Sequence, residues 1–146
     1  MDLRQQMEVI TACICRVTEL YGDWARQHGM SYNLLMTLYA IKQNQPCTQK
    51  QIAREWMIPK QTVNTIVKDL ERQGFVCFSS GRDQKEKLVS FTEAGNAYAA
   101  KTLEELYQME DRVMERMGPQ ICQALVDSNV AFAQALADEV RREGQS

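Results

Sequence analysis

Residues 48–74 read TQKQIAREWMIPKQTVNTIVKDLERQG, and this stretch decides the fold. Thr48 with Gln51 three residues on has the form of a capping box, opening a short helix with Ile52, Ala53, Trp56 and Met57 inward. Pro59 suits the first turn of a second helix, whose Val63, Ile66, Val67 and Leu70 share one face and which Gly74 ends. Only a couple of residues join the two, as a helix-turn-helix requires. The opposite face of the second helix carries Lys60, Gln61, Asn64, Thr65, Lys68 and Glu71. Glutamine and asparagine amides each offer a paired donor and acceptor to adenine in the major groove, and threonine contacts base edges or the thymine methyl. Lysines at both ends are placed to neutralise phosphates, which fix register without reading sequence.

Outward from this stretch the period of the apolar residues changes twice. Phe75-Val76-Cys77-Phe78 and Leu88-Val89-Ser90-Phe91 are β-prone and bracket a polar run, predicting a hairpin with a nine-residue loop from Ser79 to Lys87. Upstream, Ser31 can cap a helix that carries Leu34, Leu35, Leu38, Tyr39 and Ile41 inward and stops before Gln45-Pro46. Residues 31–92 therefore read as one winged helix-turn-helix lobe, mainly α with a small β-hairpin wing. Three longer helices flank it. Met7, Ile10, Ile14, Val17, Tyr21 and Trp24 form one apolar stripe of the first, closed near His28 and Gly29. Beyond Thr92, Leu103, Leu106, Val113 and Met117 mark a second, Gly118-Pro119 breaks it, and Ile121, Ala124, Leu125, Phe132, Ala135, Leu136 and Val140 mark the last. Residues 1–28 and 93–146 are too apolar to stand alone, so the single domain 1–146 is expected to pair them in a homodimer.

Composition limits the alternatives. The 146 residues are 45% hydrophobic and 25% charged, enough to bury a core and too apolar for a disordered chain. No apolar run approaches the ~18 residues of a membrane span, and the N-terminus lacks a signal-peptide pattern. Five cysteines, an odd number without framework spacing, predict reduced thiols and a cytoplasmic protein. Although the formal net charge is −2, residues 48–90 carry +3 and the remainder −5. A polyanion meets the local patch, because ions screen beyond roughly 8–10 Å. A single histidine, with neither Cys-x-x-Cys nor His-x-x-x-His, leaves no ligand set for a metal. Nor does a phosphate loop or nucleophile elbow give an enzyme or a cofactor a foothold.

Thr48 to Glu55, Thr62-Val63-Asn64, Asp69 to Val76 and Leu88-Val89-Ser90-Phe91-Thr92-Glu93-Ala94-Gly95 together resemble the MarR-type regulators. The likeness extends over nearly the whole chain, since the flanking long helices match in order and length. It implies a dimeric winged-helix repressor or activator on a pseudo-palindromic operator, with DNA affinity set by a small molecule or by oxidation. The DNA-binding set becomes Lys60, Gln61, Thr62, Asn64, Thr65 and Lys68 on the helix, with Arg82, Asp83, Lys85 and Lys87 on the wing. At the wing the chain departs from the family, which has an aspartate followed by two arginines where this chain has Asp83-Gln84-Lys85. Lysine lacks arginine's planar fork, so a narrow minor groove should be read less sharply, with Arg82 or Lys87 as substitutes. Phe78 stands where many members carry a basic residue.

Effector control has two candidate bases. Tyr21, Trp24, Tyr32, Met36 and Tyr39 fall on the helices that hold the family's ligand pockets, and such a pocket would suit a planar phenolic or hydrophobic compound. Core packing explains the same residues more simply. A peroxide-sensing subgroup uses a cysteine near the start of the first helix, where this chain has Met7; Cys13 and Cys15 lie two turns later and point to different sides. Cys47, in the loop after Pro46, is expected to be the exposed, reactive thiol, while Cys77 and Cys122 sit in apolar patterns. A third reading is a winged helix that binds protein rather than DNA, which salt dependence would distinguish.

Overall fold

The computed structural model describes residues 1–83 and 85–146; Gln84, central to the wing run, lies outside the described residues. The order is α1 (Leu3–Gln27), α2 (Tyr32–Asn44), α3 (Gln49–Trp56), α4 (Lys60–Arg72), β1 (Val76–Ser80), β2 (Lys87–Phe91), α5 (Glu93–Met117) and α6 (Pro119–Gly144). The chain forms two compact units, Met1–Leu103 and Glu104–Ser146.

In the first unit the caps fall where the sequence puts them. Ser31 accepts the Leu34 N–H at 3.1 Å. Thr48 and Gln51 form the reciprocal box: the Gln51 N–H donates to Thr48 Oγ1 at 3.1 Å, and the Thr48 N–H to Gln51 Oε1 at 2.8 Å. Leu35, Leu38 and Ile41 from α2, Ile52 from α3, and Val63, Val67 and Leu70 from α4 are fully buried and make the lobe's core. Two details of the turn differ from expectation. Met57 does not point inward: its φ of 52° is left-handed, which swings it out to 88% exposure and turns Ile58 into the core instead. Pro59 keeps an extended ψ of 136°, so it precedes α4 as its cap rather than joining its first turn.

The wing is an antiparallel pair with Val76 opposite Phe91 and Ser80 opposite Lys87. Ser79 and Ser80 continue the ladder onto Leu88 and Lys87, so the connection is only residues 81–86, shorter than the nine-residue loop the sequence suggested. Cys47 adds a third edge, exchanging backbone bonds of 3.1 and 2.7 Å with Val89. The Phe91 N–H donates to Gln45 Oε1 at 3.0 Å, tying the end of α2 to the wing's base.

Where β2 passes into α5, Thr92 clasps the end of α4. Its hydroxyl donates to the Gly74 carbonyl at 2.6 Å and accepts the Gly95 N–H at 3.0 Å. Its own N–H donates to the Phe75 carbonyl at 3.0 Å. The Phe75 and Tyr98 rings stack 4.4 Å apart, and Gly95 lies so close to Phe75 that a Cβ there would stand 1.7 Å from its carbonyl oxygen.

In the second unit Gly118, at φ 83°, turns the chain and Pro119 opens α6. Cys122 is half-buried there, its Sγ donating to the Met114 carbonyl at 3.3 Å. Much of the apolar pattern of α6 is uncovered within the chain: Ile121, Leu125, Leu136 and Val140 are exposed. The same holds in the first unit for Ile10, Ile14 and Val17 of α1. No helix among the described residues is long and apolar enough to cross a membrane.

Candidate nucleic-acid interface

Burial divides α4 into two faces. Val63, Val67 and Leu70 fix it to the lobe. Lys60, Gln61, Thr65 and Lys68 are exposed opposite them, and Thr62 and Asn64 are half-buried at the margins. Gln61, Asn64 or Thr65, and Lys68 succeed one another at helical steps of three and four, so they form one outward stripe. Nothing engages the amides of Gln61 and Asn64 among the described residues, so their donors and acceptors stand available. Thr65 is partly committed, since its hydroxyl donates to the Gln61 carbonyl at 3.0 Å and leaves its methyl and lone pairs outward. Asp69, the nearest carboxylate along the chain, is drawn away from Lys68 by Arg72 at 2.9 Å and Gln73 at 3.0 Å. Exposed Glu71 shares the face, but no ion pair engages Lys60 or Lys68 among the described residues.

One feature of α4 escapes sequence reading. No side chain caps its N-terminus, because Pro59 occupies that position. Backbone N–H groups of the first turn, beside Lys60, therefore have no side-chain cap, and a helix N-terminus of this kind favours anions. The signal was present, in that a proline can serve as cap as well as first residue. Gln45 was likewise missed, because a residue before proline reads only as a helix stop.

On the wing, Arg82, Lys85 and Lys87 are exposed. Asp83 serves the turn: its Oδ1 accepts the Lys85 N–H at 3.3 Å and its carbonyl accepts the Glu86 N–H at 2.9 Å. A carboxylate in that role shapes the tip, and phosphate would repel it where it attracts the neighbouring cations.

The aromatic candidates are engaged in packing. Trp24 stacks on His28 with centroids 3.8 Å apart, and Tyr39 meets Trp56 edge-on at 5.2 Å. Met36 is buried in the core, while Tyr21 and Tyr32 are half-buried. Trp56 Nε1 is buried with no hydrogen-bond partner among the described residues.

Two thiol expectations are overturned. Cys47 is only 1% exposed, because its backbone is drawn into the wing sheet beside Val89. Burial first, and Glu55 second, push its thiol up to about 11. Cys77 is exposed despite its apolar neighbours, since it alternates to the outer side of β1; Cys13 and Cys15 are also exposed within the chain. At pH 8 on the order of one Cys47 thiol in a thousand is ionised, and the thiolate is the reactive form. Peptide mapping after alkylation at pH 8 should find Cys77 modified promptly and Cys47 only once urea unfolds the chain. Equal rates at both positions would show that Cys47 is not sheltered.

Lobe, turn, outward polar stripe and basic hairpin define a winged helix-turn-helix protein. A MarR family sequence profile matches residues 28–86. A MarR family regulator from Neisseria meningitidis is 30% identical, covering 98% of this chain and 99% of that one, with a TM-score of 0.77. The chain belongs to the MarR family, whose members are regulators and not enzymes. At fold level it also matches Streptococcus pneumoniae FabT, solved in complex with DNA, at 19% identity and TM-score 0.68 over 94% of this chain and 99% of that one. Staphylococcus aureus MarR, solved with salicylate and kanamycin, matches at 16% identity and TM-score 0.72 over 93% of each chain. No curated protein matches the sequence.

Proposed function

We propose that the protein is a cytoplasmic, homodimeric transcriptional repressor that binds a pseudo-palindromic operator and is released by a small-molecule effector. The observation that carries the DNA reading is the uncommitted stripe of Gln61, Asn64 and Lys68, held outward by a fully buried Val63–Val67–Leu70 seam. Rigid presentation on a helix is what base readout needs, and free amides are what it uses. The FabT relative, found on DNA, supports the same use of the fold.

Pairing is supported by the apolar side chains left uncovered in the single chain, with Ile14 at 51%, Val17 at 53%, Ile121 at 59% and Val140 at 64% exposure. A second copy meeting residues 1–28 and 93–146 would remove them from water, and two copies place two recognition helices on one duplex. Half-sites should then be centred roughly 34–36 Å apart. For the effector, the salicylate bound to the Staphylococcus aureus relative supports a planar phenolic compound as the class to screen. Tyr21, Trp24, Tyr32, Met36 and Tyr39 are the positions to probe.

Sedimentation at micromolar concentration should show a dimer, with an interface above the ~2,000 Å² at which obligate pairs begin. A stable monomer there would remove the homodimer from this reading. Binding to DNA should weaken by orders of magnitude as salt rises through the physiological range. An association that ignores salt would favour a protein-binding module instead.

A further inference from the structure

The wing carries a cation seated on an aromatic ring. With Phe78 opposite Val89 and Lys87 opposite Ser80, Phe78 and Lys87 lie diagonally on one face of the hairpin. Val76, Val89 and Phe91 of that face are buried at the wing's base, and the face emerges through half-buried Phe78 to exposed Lys87. The Lys87 Nζ stands 5.7 Å from the Phe78 ring centroid, within the range at which the ring's quadrupole attracts a cation. Among the described residues no carboxylate pairs with Lys87, so the ring is its one charge-stabilising contact. Among the described residues Arg82 and Lys85, further out, have no such seat.

We propose that Phe78 is a positioning residue for DNA, whose ring holds the Lys87 ammonium where it meets a backbone phosphate. An ammonium over a ring keeps its outward N–H donors free. A lysine loose in water surrenders rotamer freedom when it docks, whereas one already held over a ring has lost part of it before the DNA arrives. Phe78 thus acts through Lys87, without touching DNA. The proposal rests on the DNA-binding reading above.

The test uses the full chain and a labelled random-sequence DNA duplex, because phosphate contacts are sequence-independent. Phe78→Leu should weaken binding about two- to fivefold, the part of the lysine's ordering cost that the seat removes in advance, while Phe78→Trp, a better seat for a cation, should match or exceed wild type. On a Lys87→Gln background, which itself shallows the salt slope by about one unit, both Phe78 changes should become neutral. Independently of DNA, the Lys87 ε-methylene proton resonances should be shifted upfield by the ring in wild type and return to ordinary positions in Phe78→Leu. If Phe78→Leu does not fold, Phe78→Trp with and without Lys87 supplies the same cycle. Equal Phe78 effects in both backgrounds, with wild type binding normally, overturn this proposal alone. No upfield shift in the folded wild type overturns the seat. A wild type that shows the shift yet binds no duplex overturns the DNA-binding reading, and the positioning role with it.

Discussion

Replacing Gly95 with alanine is expected to destabilise the protein by more than about 3 kcal/mol, lowering its melting temperature by about 10 °C or more. The added Cβ would lie 1.7 Å from the Phe75 carbonyl oxygen, 2.7 Å from its carbon and 3.0 Å from its Cα. These are backbone atoms, so no side-chain rotamer change can relieve the overlap. Phe75 is also held on several sides. Its N–H donates to Leu70 at 2.9 Å, its carbonyl accepts from Thr92 at 3.0 Å, and its ring is stacked on Tyr98. Moving Phe75 breaks the end of α4; moving Gly95 breaks the Thr92 clasp. Gly144, with nothing within 4 Å of its hypothetical Cβ, is the control and should tolerate alanine within about 0.5 kcal/mol. Urea unfolding of both variants measures the contrast. A Gly95→Ala protein within about 1 kcal/mol of wild type would mean that the two segments are not packed this closely.

That close approach shows where sequence legibility stops. Capping is local chemistry, so Ser31 and the Thr48–Gln51 box could be read directly, and each forms as written. The Val63, Val67 and Leu70 seam repeats at helical spacing, so the buried face of α4, and with it the outward stripe, was legible too. Gly95 could be recognised as part of a motif, but its necessity arises from Phe75, twenty residues earlier, and only the folded chain brings them together. Cys47 fails for the same reason: between Pro46 and the Thr48 cap it reads as loop, yet a bridge to distant Val89 takes it into the sheet. Met57 failed locally. The apolar period carried it inward, and a single left-handed residue, unusual for methionine, broke that period one position early. The wing's loop is shorter than expected because Ser79 and Ser80, whose polarity suggests a loop, continue the ladder. The outward face of α4 is thus more legible than the hairpin, because a helix constrains which residues it turns outward and a hairpin tip does not.

The largest effect on DNA binding is expected from the recognition helix, where Asn64→Ala or Gln61→Ala should each cost on the order of 1–3 kcal/mol on an operator selected from random sequence. Neither change should matter much on unselected DNA. Gln61 is exposed and Asn64, three residues on, is half-buried at the margin of the same outward face, and neither belongs to the Val63, Val67 and Leu70 seam that holds the helix. Removing an amide that pairs with a base edge leaves that edge unsatisfied in a desolvated groove, a penalty that only the matching sequence exacts. Lys68 should behave differently. It carries a point charge without a fork, so Lys68→Gln should weaken every duplex alike and shallow the salt slope by about one unit. Measured across a salt series, the three variants therefore separate by kind: two lose discrimination at nearly constant slope, and one loses slope at nearly constant discrimination. Equal losses on selected and unselected DNA for both amide variants would show that this face positions the helix without reading bases. Specificity would then have to come from the wing or from the duplex's own shape, in which case sequence changes at the half-site centres would matter less than changes in minor-groove width.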